Sequence, residues 1–499
     1  MADAVVPARA ERSTPAASPL DPDAARLREL GYEQELRREL RVVDSVAIGF
    51  ATISPVVGLY AVLLVGTTLA GPAWVWVLPV ALGGQCLLLA VYSELASQFP
   101  IANGSYQWTR RLVGPAYGWF TGWVVLCAYA VANTTIAYLG ASWALALLDV
   151  TPTANAIVLT GMALVALAAG VNALGIDVLR RAVKAGIAAE AAALVGIGLA
   201  LLLVAREQDF GILRQTLGAE SLSGESVGAG LLAALAVGGW VFIGFDACVA
   251  TSEETRNAAR HVPCAMWIAM LSVAGLVMLN AVAVELAHPR PADVVRGADA
   301  DPVTTAVTAS FGSWSTKPFA AIVLAAFVAC ALAAQAATAR SIYSVARDGV
   351  LPGSALLRHV DRRQVPIGSV GVVGAIACLG LLLGLRSAAI GSLIAFGTAA
   401  IYFGFLLVAL AALVARVRGS WVPAGSVRLG GIGLVVNALA VAWLAFETAN
   451  IAWPRESLAP PGAPWYQVWA APLVLAVIAV AGGVYLAAAR PQRNLAQTS

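Results

Sequence analysis

Charge is the first thing this chain is short of. Asp, Glu, Lys and Arg make up 12% of its 499 residues, about half the roughly 25% usual in soluble domains. Lysine is nearly absent: Lys184 is followed by Ala and Lys317 by Pro. A GxxxxGK[ST] phosphate loop is therefore impossible, and the chain does not hydrolyse ATP by that route. Three scattered histidines, His261, His288 and His359, form no HExxH or other ligand cluster, so no metal site and no cofactor is expected. Six cysteines contain no CxxC pair and lie in or beside apolar stretches, which reads as small buried hydrophobes. Residues 1–40 are polar and Ala/Pro-rich without an apolar run before a cleavage site, so they do not read as a signal peptide. Their opening part reads as disordered, and Ala24 to Arg41 as a short amphipathic surface helix.

What the chain has instead is hydrophobicity. Apolar residues reach 60% and mean hydropathy is +0.81. Stretches of about 20 apolar residues span a bilayer as helices. Twelve are expected, near 42–67, 73–97, 116–148, 154–174, 184–205, 228–251, 263–287, 317–344, 366–385, 388–415, 428–450 and 465–489. The expected fold is an all-α polytopic membrane protein. With both termini cytoplasmic, 24 of the 31 Lys and Arg residues fall inside and 7 outside, the bias the positive-inside rule requires.

Two spans are poor continuous helices. The first carries Gly49 and then Ser54-Pro55-Val56-Val57-Gly58; Pro55 removes a backbone donor, though a simple kink is the bland reading. The sixth runs Trp240-Val241-Phe242-Ile243-Gly244-Phe245-Asp246, with Gly238 and Gly239 before it. Asp246 puts a carboxylate at membrane depth, where it needs a partner, a cavity or a proton. A Gly-rich helix packed tightly on a neighbour is the bland alternative. Two interrupted helices five spans apart point to an inverted repeat with a midplane site. The repeats would be 42–205 and 228–415, with extra helices over 428–489 inside a domain of 41–490, and cytoplasmic tails at 1–40 and 491–499.

Half-helix N-termini attract anions and C-terminal carbonyls attract cations. The backbone near Ser54–Gly58 and Ile243–Phe245 suits the two ends of a zwitterion, an amino acid or amine. Trp240, Phe242 and Phe245 are positioned to cover an ammonium or apolar side chain, or simply to pack. Glu190, in span 5, is a candidate proton carrier or the partner of a basic helix end; Glu94 and Glu285 fall near span ends and read as interfacial. Glu253, Glu254, Arg110 and Arg347 on the inner loops suit a gate of ion pairs.

Four runs are similar to the amino acid–polyamine–organocation superfamily of secondary transporters, nearest to its amino acid/choline, GABA permease-like branch: SELASQFPIANGSYQW at 93–108, RRLVGPAYGWFTGW at 110–123, GFDACVATSEETRNAARHVP at 244–263 and SVARDGVLPGS at 344–354. The resemblance covers about residues 40–415. It implies a leucine-transporter-like fold of 5+5 inverted repeats plus two extra helices, working by alternating access around broken helices 1 and 6. It places Ser54, Pro55, Val56, Val57 and Gly58 at the first break, and Trp240, Ile243, Gly244, Phe245 and Asp246 at the second. Glu190 falls near the span-5 position where some relatives carry a coupling lysine. Where many members have Gly-x-Gly, this chain has Val56-Val57-Gly58, which leaves less room for an α-carboxylate and keeps GABA, choline, ethanolamine and polyamines open.

The expected protein is a transporter, not an enzyme: a permease of the cytoplasmic membrane importing an amino acid or amine, with Asp246 and Glu190 in proton coupling. Its expected partners are the small-molecule substrate, a proton or sodium, and the lipid bilayer, with no nucleic acid. Sodium coupling or exchange of choline, ethanolamine or polyamine is the alternative. A membrane-embedded transferase would want a polar cluster at one face, which the scattered histidines do not supply.

Overall fold

A computed structural model describes residues 22–385, 390–459 and 462–495. The turn expected around Arg386, and residues 1–21, lie outside the described residues. The described chain is helical, with no strand; the single isolated bridge pairs Leu40 with Thr255.

Eleven helical stretches among the described residues are long and apolar enough to cross a membrane. The first, Val42–Gln98, has 57 residues and as one rod would measure about 85 Å, far beyond the ~30 Å hydrocarbon core. It folds instead as α2 (Val42–Ile53), α3 (Pro55–Ala70), a 3-10 corner at Gly71–Trp76, and a returning α4 (Val77–Gln98). The return is visible in what its ends touch. Leu40 bonds Glu254 and Arg256, the segment after Gln98 bonds Glu253 through Ala102, and the corner bonds Glu285 through Trp74, at the far end of another helix. Two crossings in this stretch make twelve.

Further helices are α1 (Pro22–Glu29), α5 (Gly104–Leu112), α6 (Pro115–Leu147), α7 (Ala154–Ala173), α8 (Ile176–Leu203), α9 (Val227–Gly238), a single turn α10 (Ala247–Ala250), α11 (Ala258–Ala287), α12 (Thr316–Arg347), α13 (Ile367–Leu381), α14 (Ile390–Val417), α15 (Gly433–Ala452) and α16 (Ala470–Ala489). The core packing repeats under a five-span shift. Span 3 (α6) packs on spans 9 and 10 (α13, α14), as span 8 (α12) packs on spans 4 and 5 (α7, α8). Pairs that map onto themselves, α6 with α12 and α7 with α13, are also in contact. α15 lies against α4 and α14 on the outside of this unit.

The surface helix read over Ala24–Arg41 is shorter than expected. Gly31 turns out with φ +88°, α1 ends at Glu29, and residues 32–40 cross the polar face without helix. Side-chain bonds outcompete helical ones here: Gln34 Nε2 donates to the Glu253 carbonyl at 2.9 Å and Arg38 Nη1 to the Thr255 carbonyl at 2.9 Å. Glu94 and Glu285, read as interfacial, stand near their helix ends but are enclosed by protein. They are 1% and 2% exposed. Glu94 pairs with Arg416 and accepts from the Leu429 amide; Glu285 accepts from Thr67 Oγ1 at 2.5 Å and Trp74 Nε1 at 2.7 Å.

Candidate functional site

The first break is a single residue wide. Ser54 takes φ 41°, ψ 109°, a strained conformation for a residue with a side chain. Pro55 then starts α3, where its missing N–H costs no helix bond. Ser54 caps that helix: its Oγ accepts from the Val57 amide at 3.2 Å. The same hydroxyl donates to Glu190 Oε1 at 2.7 Å, and the Val56 amide donates to that oxygen at 3.2 Å. The positive end of α3 thus already holds a carboxyl group, that of the protein's own Glu190, which is 1% exposed and whose Oε2 has no partner among the described residues. Among the described residues no basic side chain pairs with it; Lys184, in the same helix, bonds Asp44 at 2.5 Å.

The second break is longer. α9 ends in a 3-10 turn over Gly239–Phe242, Ile243 is extended, and Gly244 has φ +112° before the short α10. Only glycine fits there: a Cβ would stand 3.0 Å from the main chain of Thr52 in α2. The breaks face each other at close range, since Gly58 also lies against the Val241 main chain, 3.2 Å from where its Cβ would be.

Between them is a small cavity of about 50 Å³. Its walls include Val57, Trp240, Ile243, Gly244 and Asp246 from the breaks, with Thr52, Tyr129, Asn133, Cys330 and Thr338 from α2, α6 and α12. Among the described residues no basic side chain lines it, and Asp246 is its one carboxylate. Asp246 is 5% exposed and accepts a short hydrogen bond from the Tyr129 hydroxyl. Asn133 Nδ2 donates to Thr338 Oγ1 at 2.8 Å, and Thr338 donates onward to the Ala334 carbonyl.

Several expected residues stand elsewhere. Phe242 and Phe245 are fully buried behind the cavity; Phe245 packs against Tyr92 and Phe405 with ring centroids 5.5 Å from each. Ser54, Pro55, Val56 and Gly58 shape the break without lining the cavity, where Val57 alone of that group appears. Tyr129 and Asn133 were not visible as site residues. Both lie inside the 33-residue α6, with polar groups four residues apart on one helical face the only signal.

On the polar face the four loop charges meet, with two partners the sequence did not single out. Arg347 grips Glu253 with two bonds of 2.9 Å, whereas Glu254 pairs with Arg340 and Arg110 with Asp348. The N-terminal segment seals the cluster. Tyr32 donates to Asp348 at 3.0 Å and lies under the Arg347 guanidinium, 3.9 Å from it. Tyr343 donates to Glu35 at 2.6 Å, and Tyr106 to Asp348 at 2.6 Å. Burial, and then the Asp348 charge, push the Tyr32 and Tyr106 phenols above their ordinary range, which keeps both as donors.

A twelve-pass bundle with two broken helices facing one buried cavity, sealed on one side by ion pairs, has the construction of a membrane transporter for small molecules. The chain belongs to the amino acid permease family, whose sequence profile it matches over residues 41–488, within the amino acid–polyamine–organocation superfamily. It is 27% identical over 479 residues to an amino-acid permease BAT1 homolog of Oryza sativa subsp. japonica, covering 87% of this chain and 88% of that one. Amino-acid permease BAT1 of Arabidopsis thaliana is 26% identical, covering 85% and 87%. The vacuolar cationic amino acid transporter 4 of Arabidopsis thaliana is 27% identical over 420 residues, covering 77% of this chain and 64% of its own length. The protein is an amino acid transporter.

Proposed function

We propose that this permease imports an amino acid bearing an exposed amine across the cytoplasmic membrane, together with a proton, by alternating access. The observation that carries the reading is Glu190 on the N-terminus of α3. That N-terminus is the natural seat of a substrate carboxylate. While Glu190 is ionised, its charge competes with such a carboxylate for the Ser54 hydroxyl and Val56 amide. A proton on Glu190 removes the competing charge. Proton and substrate then favour each other's binding, which is the thermodynamic content of coupling.

Asp246 supplies the opposite pole. An ammonium in the cavity meets its carboxylate and the face of Trp240, without a competing basic side chain. The printed name of the vacuolar relative, a cationic amino acid transporter, is in keeping with such a pocket. Against a sodium site, the Thr338 hydroxyl is engaged at both its donor and an acceptor position by α6 and α12.

The face bearing Arg26, Arg110, Arg256, Arg347, Arg363 and Arg416 is taken as cytoplasmic, from the positive-inside rule. The Glu253–Arg347, Glu254–Arg340 and Arg110–Asp348 pairs are its gate, and the structure's sealed polar face corresponds to the state closed on that side.

The test is counterflow in proteoliposomes loaded with unlabelled candidates and challenged with labelled lysine, arginine, neutral α-amino acids, GABA, choline and putrescine. Accumulation of an amino acid, increased by an imposed inward proton gradient and indifferent to sodium, is the expected result. Transport of choline or putrescine alone overturns the role given to the α3 N-terminus; a sodium requirement overturns the role given to Glu190.

A further inference from the structure

A second buried polar group lies outside the cavity, where α4, α14 and α15 meet the end of α9. Glu447 and Gln85 are both 0% exposed. Asn450 Nδ2 donates to Glu447 Oε2 at 3.3 Å, but among the described residues Glu447 Oε1 has no partner. A buried polar atom left unpaired is costly, so it calls for a function. Beside it is the fully buried Tyr402, whose hydroxyl interacts with the Gln85 side chain and lies within electrostatic reach of Glu447. Its hydroxyl donates to the Gly239 carbonyl at 3.2 Å, and Gly239 directly precedes Trp240 of the cavity wall. Fit is tight there, since a Cβ on Gly239 would stand 2.7 Å from the Tyr402 oxygen.

The group is also connected outward. Asn450 donates to the Leu232 carbonyl at 3.0 Å and accepts from Arg455 Nη2 at 2.6 Å. With Glu225, Arg455 and Glu456 it lines an open cavity of about 640 Å³ on the side away from the ion-pair cluster.

We propose that Glu447 is a proton-binding site, reached from this outer cavity, that controls the second helix break through Tyr402. A tyrosine hydroxyl has one proton to give. An ionised Glu447 is a stronger acceptor than a carbonyl and draws that proton away from Gly239. A protonated Glu447 leaves Tyr402 on Gly239 and has its own proton to offer Gln85. The proton is taken from hydronium or a buffer acid of the bulk solution through the outer cavity and returned to it, and no bond other than O–H changes. The charged and titratable groups facing Glu447 are Tyr402 from α14, and Arg455, Glu225 and Glu456 at the outer rim; α4 presents the neutral Gln85. Glu447 sits in a helix outside the two repeats, so the inference is separate from the coupling assigned to Glu190.

The test compares wild type, Glu447→Gln, Tyr402→Phe and the double variant, with equal pH on both sides of the membrane, across about pH 5–8. The first readout is melting temperature in detergent, which does not depend on transport. The expected result is a difference between wild type and Glu447→Gln that changes with pH. A difference constant at every pH overturns the proposal. The second readout is counterflow. Loss of part of the pH dependence in Glu447→Gln, and no further loss in the double variant beyond Tyr402→Phe, supports control through Tyr402. A wild-type pH profile in both single variants overturns it. Wild type inactive with every substrate sinks the functional reading instead, while the melting data still decide Glu447.

Discussion

At the scale of single residues, the proposed function divides its work between two carboxylates. Replacing Glu190 by Gln keeps the shape and bonds of a protonated carboxyl. Exchange is expected to persist in this variant, with its pH dependence flattened and no accumulation against a gradient under an imposed proton gradient. A wild-type pH profile in Glu190→Gln proteoliposomes would remove Glu190 from coupling. Asp246→Asn takes away the counter-charge for an ammonium, and the apparent affinity for a cationic substrate should fall at least about tenfold, some 1.4 kcal/mol. Trp240→Ala should weaken the same affinity by roughly 0.5–2 kcal/mol, and unchanged affinity would return Trp240 to plain packing. The sequence marked these residues because a charge or a large aromatic beside glycines stands out in an apolar run. It did not reveal what Glu190 touches: Ser54 is 136 positions away, and nothing local records that contact. Nor did it separate Trp240, on the cavity wall, from Phe242 and Phe245 two and five positions on. The facing direction of a side chain in an irregular segment has no sequence period to betray it.

At the scale of elements, the two breaks were legible because helices in a membrane leave few ways to satisfy backbone groups. Proline and glycine clusters therefore announce where the exceptions are. Their mutual contact was not. Gly244→Ala tests it: a Cβ 3.0 Å from the Thr52 main chain, on a residue with φ +112°, should cost about 1–3 kcal/mol, lower the melting temperature and abolish transport. A fully active, equally stable Gly244→Ala protein would mean that the breaks move apart freely. The extended run over residues 32–40 was misread as helix because its composition is helix-compatible; the acceptors that extend it, the Glu253 and Thr255 carbonyls, lie more than 200 positions away.

At the scale of the whole molecule, the ion pairs and the N-terminal segment form one assembly. Arg347 touches Glu253, Tyr32 and Tyr343 together. Removing one partner of a buried pair costs about 3–5 kcal/mol, so Glu253→Gln should shift the population toward a state open on this face. The measurement is the rate at which an impermeant thiol reagent modifies a cysteine placed at Ser341, a buried α12 residue whose carbonyl accepts from Asn103 Nδ2, and no increase over the Glu253-containing control would mean the pair is not what keeps the face shut. The sequence showed that these charges share a face, because basic residues sort to one side of a membrane. It could not show who pairs with whom, and two partners, Arg340 and Asp348, emerged only from the packing.

The occupied end of α3 also bears on what the carrier does when it has nothing to carry. A buried helix N-terminus left without an anion is an uncompensated positive pole. Here Glu190 supplies that missing partner from within. On the reading above, the empty protein is electrically dressed as though loaded, and its return journey needs no counter-substrate. That would make it a one-way accumulator rather than a swap device, and would let a single proton pay the toll for each round trip.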